Sequence, residues 1–572
     1  MAKNQELAKL FEEIGKALEF KGENQFKIIA YYKVARVLRD LPQDIEQIWK
    51  AGKLREIPGI GEGIAKKIDE YLKTGRMSKY EEVMKDIPKE LLELMDVQSL
   101  GPRTLKLAYE RLGVKTKEDL LRVIENGSLE KLPGMGKKKV ENIKKGLEIW
   151  KGQEERISIG IALPLVERIV NYLKGEYPDV QISPAGSLRR MKETVGDIDI
   201  LVGKDNGKEI IETFTKFEEV ERILAKGDTK GSIIVKSGEQ VDLRVVPIQS
   251  YGAALQYFTG SKAHNIKLRT IAKGENLKVS EYGVFRGDKF IAGRTEEEVY
   301  AVFGLPWIPP ELREDRGEIE LAMKGQLPKI VEYNEIKGDM HVHSNYSDGA
   351  DTIEKIAKYA KELGYEYIVI ADHSKSAKYA HGMDEERVKK QWEEIDRVAK
   401  QVGIKIFKGI EVEIDREGNL DFSQEFLAKF DVVIAAFHRA VKQDLTPIFI
   451  KVCHNPHVDI IAHPTGRLIS QRAGYTVDID RVIEEASKTN TALEINAYYD
   501  RLDLSDINAK KAKDKGVKIS IGSDAHNVGM LNFLRFGIGT ARRAWLEKDD
   551  ILNTLSAKEL ENWLKTHKAH IS

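Results

Sequence analysis

Short apolar runs that end in histidines and carboxylates constrain the fold of this 572-residue chain more than any other feature. From about residue 336 these runs alternate with segments of helical periodicity, as in YIVIADHS and IKIFKGIEVE. Alternating strands and helices form a parallel sheet or a distorted barrel, and barrel active sites gather at the C-terminal ends of the strands. We therefore expect a βα domain here, with its site at one end of the strands.

Metal-ligating residue types recur at these strand ends. His341 and His343 are two residues apart, and residues two apart in a strand share a face. Imidazole and carboxylate ligands together suit zinc, manganese or iron. Any one of them could be an ordinary polar residue near a strand end, but the whole set predicts a metal centre. The further strand-end residues are Asp372, His373, Glu411, His438, His463, Asp524 and His526.

A second group of carboxylates lies in the α+β segment from about 150 to 247. Asp197 and Asp199 alternate in GDIDILV, and Asp242 follows on another predicted strand. Carboxylate oxygens suit Mg²⁺ or Mn²⁺ ions that bridge phosphates. The upstream AGSLRR offers a small turn, a hydroxyl and two guanidinium groups to a triphosphate. Two alternating aspartates alone could be structural, but with these flanking motifs they predict a nucleotide site.

Helices joined by glycine turns fill residues 1–150. Three turns, in IPGIGEGIAKKI, QSLGPRTLKLA and LPGMGKKKVENI, each run into a basic helix. Glycine lets the backbone approach a phosphate, and the free N–H groups of the next helix bind it without reading base sequence. One such turn is often only a turn, but three predict DNA binding. The glycines concerned are Gly59, Gly61, Gly101, Gly134 and Gly136.

Composition narrows the class of protein. The chain has 92 basic and 92 acidic residues, so its net charge argues neither for nor against a polyanionic partner. The single cysteine, Cys453, excludes an internal disulfide framework. No apolar run approaches the roughly 20 residues that cross a bilayer, and the first helix has no hydrophobic secretion core. We expect a cytoplasmic, monomeric, multidomain protein without a membrane partner.

The chain from 338 to 526 resembles the PHP (polymerase and histidinol phosphatase) family in its motifs GDMHVHSNYSDG, GIEVE, IAHP and GSDAH. The resemblance implies a distorted (βα)7 barrel that hydrolyses phosphoesters at a site for up to three Zn²⁺, Mn²⁺ or Fe²⁺ ions. Water bound to such ions becomes a nucleophile near neutral pH. The ligands that the resemblance implies are His341, His343, Asp348, His373, Glu411, His438, His463, Asp524 and His526.

The central segment resembles the palm of family X DNA polymerases, and YFTGSKAHNIKLR (257–269) resembles their nucleotide-pocket motif. The resemblance implies Mg²⁺ or Mn²⁺ at Asp197, Asp199 and Asp242, with Asp242 also activating the primer 3′ hydroxyl. An arginine that animal members use just before the palm has no counterpart in RISIGIALPL. The residues implied to contact the nucleotide are Gly186, Ser187, Arg190, Gly196, Tyr257, Phe258, Gly260, Asn265 and Arg269.

The first glycine turn resembles the helix-hairpin-helix of that family's N-terminal domain, which holds a downstream 5′-phosphate. Lys27 and Tyr31 match phosphate-pocket positions, and Lys67 matches a lysine that forms a Schiff base with a sugar phosphate. Gly63 stands where the family has a pocket lysine. The resemblance therefore leaves open whether Lys67 is a lyase residue or a solvated helix lysine.

Together these motifs predict six segments in a multidomain α/β chain. They are a helical N-terminal domain of the 8-kDa type (1–84), a helical fingers-like domain (85–149), a nucleotidyltransferase α+β palm (150–247), a small α+β thumb (248–314), a linker (315–335) and the PHP domain (336–572).

The combination resembles the PolX type of family X polymerase found in bacteria and some archaea. It implies a template-directed DNA polymerase that uses dNTPs to fill short gaps in gapped or primer–template DNA during repair. The PHP domain would act as a 3′→5′ exonuclease or 3′-end phosphoesterase, and the resemblance leaves cleavage at abasic sites open. Two alternatives remain: a nuclease whose palm only positions DNA, and a non-catalytic repair scaffold.

Overall fold

In the computed structural model, two compact units divide the chain, Met1–Glu155 and Arg156–Ser572. The structure describes residues 2–40, 45–57, 59–85, 87–97, 100–152, 156–439, 441, 443–469 and 474–569. Within these ranges every helix is too short or too polar to cross a membrane.

The first unit is helical around one hydrophobic core. Its first helix shows why: Leu7, Phe11, Ile14 and Leu18 recur on one face and are at most 2% exposed. The helices are α1 (Ala2–Lys21), α2 (Gln25–Asp40), α3 (Ile45–Lys50), α4 (Glu62–Thr74), α5 (Ser78–Met84), α6 (Lys89–Glu93), α7 (Pro102–Leu112), α8 (Lys117–Glu125) and α9 (Lys137–Gly152).

The second unit begins with the segment predicted to be the palm, called the palm below, which is a five-stranded sheet in the order β2-β4-β7-β6-β5 beside a short β1–β3 pair. Side chains of β7 alternate between buried and half-buried, as expected for a sheet with one covered face. The strands are β1 (Ile157–Ser158), β2 (Gln181–Pro184), β3 (Thr194–Val195), β4 (Ile198–Gly203), β5 (Val220–Lys226), β6 (Lys230–Val235) and β7 (Gln240–Val246). The helices are α10 (Ile159–Glu176), α11 (Gly186–Arg189) and α12 (Lys208–Phe214).

The thumb follows with three antiparallel strands and four helices. The segment 315–335, expected to be a linker, contains the last of these helices, and its Ile319, Ala322 and Ile330 are buried in the thumb core. The elements are α13 (Tyr251–Thr259), α14 (Lys262–Gly274), β8 (Lys278–Ser280), β9 (Gly283–Arg286), β10 (Lys289–Ala292), α15 (Glu296–Ala301) and α16 (Glu318–Met323).

Seven parallel strands form the last sheet, in sequence order from β11 to β17. A parallel bridge between Val342 and Ala525 brings the first strand back to the last, so the predicted distorted (βα)7 barrel is confirmed. The strands are β11 (Gly338–Val342), β12 (Tyr367–Ile370), β13 (Lys405–Glu413), β14 (Val432–Ala436), β15 (Ile460–Ile461), β16 (Ala492–Asn496) and β17 (Ile519–Gly522). The helices are α17 (Ile353–Glu362), α18 (Glu385–Val402), α19 (Gln424–Leu427), α20 (Thr446–Cys453), α21 (Ile479–Thr489), α22 (Asp506–Asp514), α23 (Leu534–Arg543) and α24 (Ala557–Ala569).

The barrel contributes side chains to the core of the palm. Leu502 and Phe536 belong to the same buried cluster as the palm strands. A Cβ atom at Gly160 of α10 would lie 2.1 Å from the ring of Tyr499 in the barrel, so only glycine permits this approach. Palm and barrel are therefore packed through a continuous apolar interface.

Candidate active sites

Two histidine pairs lie at the C-terminal ends of the barrel strands. His341 in β11 and His343 just after it bring their Nε2 atoms to 3.1 Å, and the Nε2 atoms of His438 and His463 lie 3.3 Å apart. Two nitrogens bound to one tetrahedral ion at roughly 2.0–2.1 Å lie about 3.3 Å apart. Both pairs therefore have the spacing that a shared metal ion needs.

Glu411 at the end of β13 lies between the two pairs. One carboxylate oxygen is 3.2 Å from Nε2 of His463 and 3.4 Å from that of His438. The other is 3.7 Å from Nε2 of both His341 and His343. Such a carboxylate can bridge two ions.

Asp348 and Asp524 complete the cluster. Asp348 lies 3.3 Å from Nε2 of His526 and 3.6 Å from Nε2 of His373, while Asp524 lies 3.1 Å from Nε2 of His343. Overlapping groups of ligand atoms fall within 4.8 Å of one another, and several share His343, His373 or Glu411. The structure thus brings all nine predicted ligand residues together, and their role as ligands stays a prediction.

Electrostatics at the barrel site also fit cation binding. Burial opposes ionisation of Glu411, yet His373 and His438 hold its pKa well below the usual value. Burial and the neighbouring His373 lower the pKa of His343 to about 4. Nδ1 of His343 and Nδ1 of His463 are buried without a hydrogen-bond partner among the described residues. Imidazoles beside ionised carboxylates are the donor set that divalent cations use.

Two carboxylates that the sequence reasoning missed hold these imidazoles from behind. Glu494 in β16 lies 2.7 Å from Nδ1 of His341, and Glu413 lies 2.6 Å from Nδ1 of His438. Such partners fix the orientation of a ligating histidine and raise its basicity. The signal for Glu413 was present, because it shares a strand face with Glu411 two residues earlier.

A cavity of about 300 Å³ opens over the cluster. Besides predicted ligands it is lined by Tyr379, Leu468, Tyr475 and Arg501, none of which the sequence reasoning singled out. Arg501 adds a cation to the wall, with Nε 3.9 Å from Asp524. A pocket with cation ligands at its base and a guanidinium on its wall can hold a phosphoester.

The palm carboxylates meet on two neighbouring parallel strands. Asp199 in β4 is paired in register with Asp242 in β7, and Asp197 directly precedes β4. Burial, with the charges of Asp242 and Asp197, raises the pKa of Asp199 to about 6. Carboxylates gathered at one edge of a sheet can hold a divalent cation.

Asp242 is held by groups that the sequence reasoning did not include. Lys230 in β6 lies 2.8 Å from its carboxylate, and Ser232 and Gln240 donate hydrogen bonds to it. Although burial opposes ionisation, these contacts lower the pKa of Asp242. Its carboxylate is therefore fixed and ionised.

The predicted triphosphate residues lie in α11, directly after it, or just before β4. Gly186 starts α11 with φ of 65°, and a Cβ atom there would lie 3.4 Å from the Asp199 carboxylate. Gly196 directly precedes Asp197, and Ser187 follows Gly186. Arg190 donates from Nε to Glu314 at 3.0 Å and from Nη1 to the carbonyl of Thr259.

The nucleotide-pocket motif is also assembled. Tyr257 and Phe258 lie near the end of α13 with ring centroids 5.3 Å apart, and Gly260 joins α13 to α14. Asn265 donates to the carbonyl of Tyr257 at 2.7 Å, and Arg269 donates to the carbonyl of Asn265 at 3.3 Å. The structure thus connects these residues, while contact with a nucleotide stays a prediction.

In the first unit the glycine turns stand at helix starts. Gly61 and Gly101 cap α4 and α7, Gly136 directly precedes α9, and Gly59 and Gly134 have positive φ. A Cβ atom at Gly61, Gly101, Gly134 or Gly136 would meet no atom within 4 Å. Crowding within the unit therefore does not require glycine at these four positions, and their contact with a DNA backbone stays a prediction.

The two predicted phosphate-pocket residues differ in exposure. Tyr31 is buried, whereas Lys27 is exposed and lies 3.3 Å from Glu23. Nζ of Lys67 donates to the carbonyl of Gly63 at 2.7 Å, and burial, followed by the charge of Lys79, lowers the pKa of Lys67.

Family models match four segments of the chain. A helix-hairpin-helix domain matches residues 2–77, and a SAM-like helix-hairpin-helix tandem matches 91–148. The DNA polymerase beta thumb matches 254–314, and the PHP domain matches 339–498. Each match falls on a segment that the motifs had assigned to the same class.

One relative covers nearly the whole chain. The DNA polymerase/3′-5′ exonuclease PolX of Bacillus subtilis is 40% identical over 568 residues, which are 98% of this chain and 99% of that protein. The chain belongs to the PolX-type DNA polymerases. A family X polymerase region and a PHP domain therefore occur in one PolX-type chain, as the motifs predicted.

Two further relatives match parts of this PolX-type chain. DNA polymerase lambda of Arabidopsis thaliana is 26% identical over 54% of the chain and 62% of its own length. A probable phosphatase of Thermoanaerobacter sp. is 34% identical over 41% of the chain and 96% of its own length. Membership in this family implies DNA binding and dependence on metal ions, for which the barrel provides ligand groups.

Proposed function

We propose that the chain is a template-directed DNA polymerase that fills short gaps during DNA repair, including base excision repair, and processes 3′ ends with its barrel. The observation that carries the proposal is the register pair Asp199–Asp242, with Asp197 beside it, in a chain that also brings the nine predicted barrel ligands together. Its substrates would be gapped or primer–template DNA and dNTPs, and it would act as a cytoplasmic monomer.

At the palm, Asp197, Asp199 and Asp242 would hold Mg²⁺ or Mn²⁺. These ions supply charge neutralisation during in-line attack of the primer hydroxyl on the α-phosphate. Asp242, fixed by Lys230 and Gln240, orients and helps activate the 3′ hydroxyl. Triphosphate binding would fall to Gly186, Ser187, Gly196 and Arg190. Contacts with the sugar and the nascent base pair would come from Tyr257, Phe258, Gly260, Asn265 and Arg269.

At the barrel, the nine predicted ligands would hold up to three Zn²⁺, Mn²⁺ or Fe²⁺ ions, which supply an activated water for phosphodiester hydrolysis. Glu494 and Glu413 keep His341 and His438 oriented. We infer that Arg501 binds the phosphate and that Tyr379, 66% exposed at the cavity, contacts the terminal nucleoside. The activity would be a 3′→5′ exonuclease or 3′-end phosphoesterase, with abasic-site cleavage as a further activity to test.

The glycine turns and Lys27 with Tyr31 would bind the DNA backbone. Burial, followed by the charge of Lys79, lowers the pKa of Lys67, which is the direction that favours an amine nucleophile. Trapping a Schiff base with borohydride on a 5′-deoxyribose-phosphate substrate, in wild type and Lys67→Ala, decides between a lyase residue and a solvated helix lysine.

A gel assay with 3′-recessed, gapped and abasic DNA tests the proposal. We expect Asp242→Ala to abolish dNTP incorporation and keep 3′ trimming, and His341→Ala to do the reverse. A wild type that trims but never extends would favour the nuclease with a positioning palm. A wild type that leaves all product lengths unchanged in Mn²⁺ and dNTPs would favour the scaffold.

A further inference from the structure

Helix α23 of the barrel ends at the polymerase pocket. Its last residue, Arg543, is 4% exposed and donates to the backbone carbonyl of Arg190 at 2.8 Å. The same guanidinium lies 3.0 Å from Glu314 at the end of the thumb and 2.8 Å from Asp506 of the barrel. One barrel side chain therefore contacts palm, thumb and barrel at once.

Glu314 transmits this contact to the predicted triphosphate residue. Its carboxylate accepts from Nε of Arg190 at 3.0 Å as well as from Arg543. Nη1 of Arg190 is bound to the carbonyl of Thr259, the residue before Gly260. Within the described residues the guanidinium of Arg190 makes its hydrogen bonds through Nε and Nη1, which leaves Nη2 for the proposed contact with a phosphate.

The surrounding packing leaves these groups little freedom. A Cβ atom at Gly539 of α23 would lie 2.5 Å from Met191, the residue after Arg190. Arg316 also binds Asp506, at 3.0 Å, and so secures the chain just beyond Glu314. The guanidinium of Arg190 is thus held from behind by groups that the barrel positions.

We propose that Arg543 is a positioning residue of the polymerase reaction: the PHP barrel holds the triphosphate-binding Arg190 in place through Arg543 and Glu314. The proposal rests on the proposed polymerase function. Without Arg543, Glu314 and Arg190 can reorient, and the contact between Arg190 and the triphosphate weakens. Binding of dNTP should suffer more than the chemical step.

The test measures single-nucleotide incorporation into a gapped duplex by the full chain. We expect Arg543→Gln to raise the KM for dTTP about tenfold, the cost of weakening one charge-assisted hydrogen bond, with kcat changed less than about threefold. Arg543→Lys, which keeps the charge, should recover part of the loss. Hydrolysis of bis(p-nitrophenyl) phosphate by the barrel should stay at the wild-type rate in both variants.

Arg535→Gln is the matched control. Arg535 lies on the same helix and pairs with Glu167 of α10 in the palm at 2.9 Å. The KM of the Arg535→Gln variant for dTTP should equal that of the wild type.

An unchanged KM in Arg543→Gln overturns the proposal, and so does an equal rise in Arg535→Gln. Loss of barrel hydrolysis together with a lowered Tm in both Arg543 variants also overturns it, because Arg543 is then merely structural. A wild type that incorporates no nucleotide refutes the polymerase function itself, which is a separate result.

Discussion

At the scale of single residues, the barrel site depends on carboxylates that do not face the cavity. Glu494 and Glu413 each bind the Nδ1 atom of a histidine whose Nε2 atom points at the cluster. A histidine held in this way loses little rotational freedom when it binds an ion, because its orientation is already set.

We therefore predict that Glu494→Gln weakens Mn²⁺ binding by the barrel about 10- to 100-fold. Titrating Mn²⁺ into the chelator-treated protein, with hydrolysis and bound metal as readouts, measures the shift. Glu362→Gln, on the exposed face of α17, is the control and should not change the titration. Equal Mn²⁺ affinity in all three proteins would contradict the prediction.

Arg501 gives a second prediction at this scale. A charge-assisted hydrogen bond contributes about 1.5–3 kcal/mol, so Arg501→Ala should lower kcat/KM for 3′ trimming roughly 10- to 100-fold. Arg501→Lys should retain part of the activity. Gap filling by the same variants is the internal control, and a drop there of similar size would mean that Arg501 supports the fold instead.

At the scale of elements, a substitution in a helix-hairpin-helix turn can test DNA binding without lowering stability. Gly101 caps α7 in an extended conformation that serine also adopts, and serine is a good N-cap. We predict that Gly101→Ser leaves Tm unchanged or slightly higher but weakens duplex binding, because its side chain occupies the space of a phosphate. Fluorescence anisotropy at two salt concentrations and a thermal melt check both parts, and undiminished affinity would refute the assignment of this turn.

Strand periodicity explains how much of the sites could be predicted from sequence. His341 and His343, or Asp197 and Asp199, share a strand face, and every predicted barrel ligand except Asp348 falls at or just after an apolar run, so local patterns indicate them. Lys230 and Arg501 reach their sites from a neighbouring strand or a loop, and no local pattern records that approach. The prediction of a linker at 315–335 was wrong for a similar reason. The segment is rich in charged residues, but its Ile319 and Ala322 are buried in the thumb core.

At the scale of the whole molecule, buried ion pairs join thumb and palm. Glu296 accepts from Arg189 of the palm at 2.7 Å and from Arg313 at 2.6 Å. Although burial opposes ionisation, these guanidinium groups hold the pKa of Glu296 far below its usual value. A carboxyl whose folded pKa is depressed stabilises the fold above its unfolded pKa of about 4.3, and that stability is lost as the pH falls below it.

We predict that Glu296→Gln lowers the free energy of unfolding at pH 7 by about 3–5 kcal/mol, because the buried Arg313 and the half-buried Arg189 lose their charged partner. The variant should also lose less stability than wild type when the pH is lowered from 5 to 3. Thermal melts across this range measure both effects, and parallel pH curves for the two proteins would contradict the prediction.

Leu502 and Phe536 have a consequence for how this enzyme can change over evolutionary time. A gene truncated before the barrel would encode a palm with cavities in its core and with exposed apolar surface. Evolution can therefore inactivate the nuclease by replacing single ligand residues, whereas deletion of the whole barrel would destabilise the palm. Lineages that abandon trimming should keep an inert barrel.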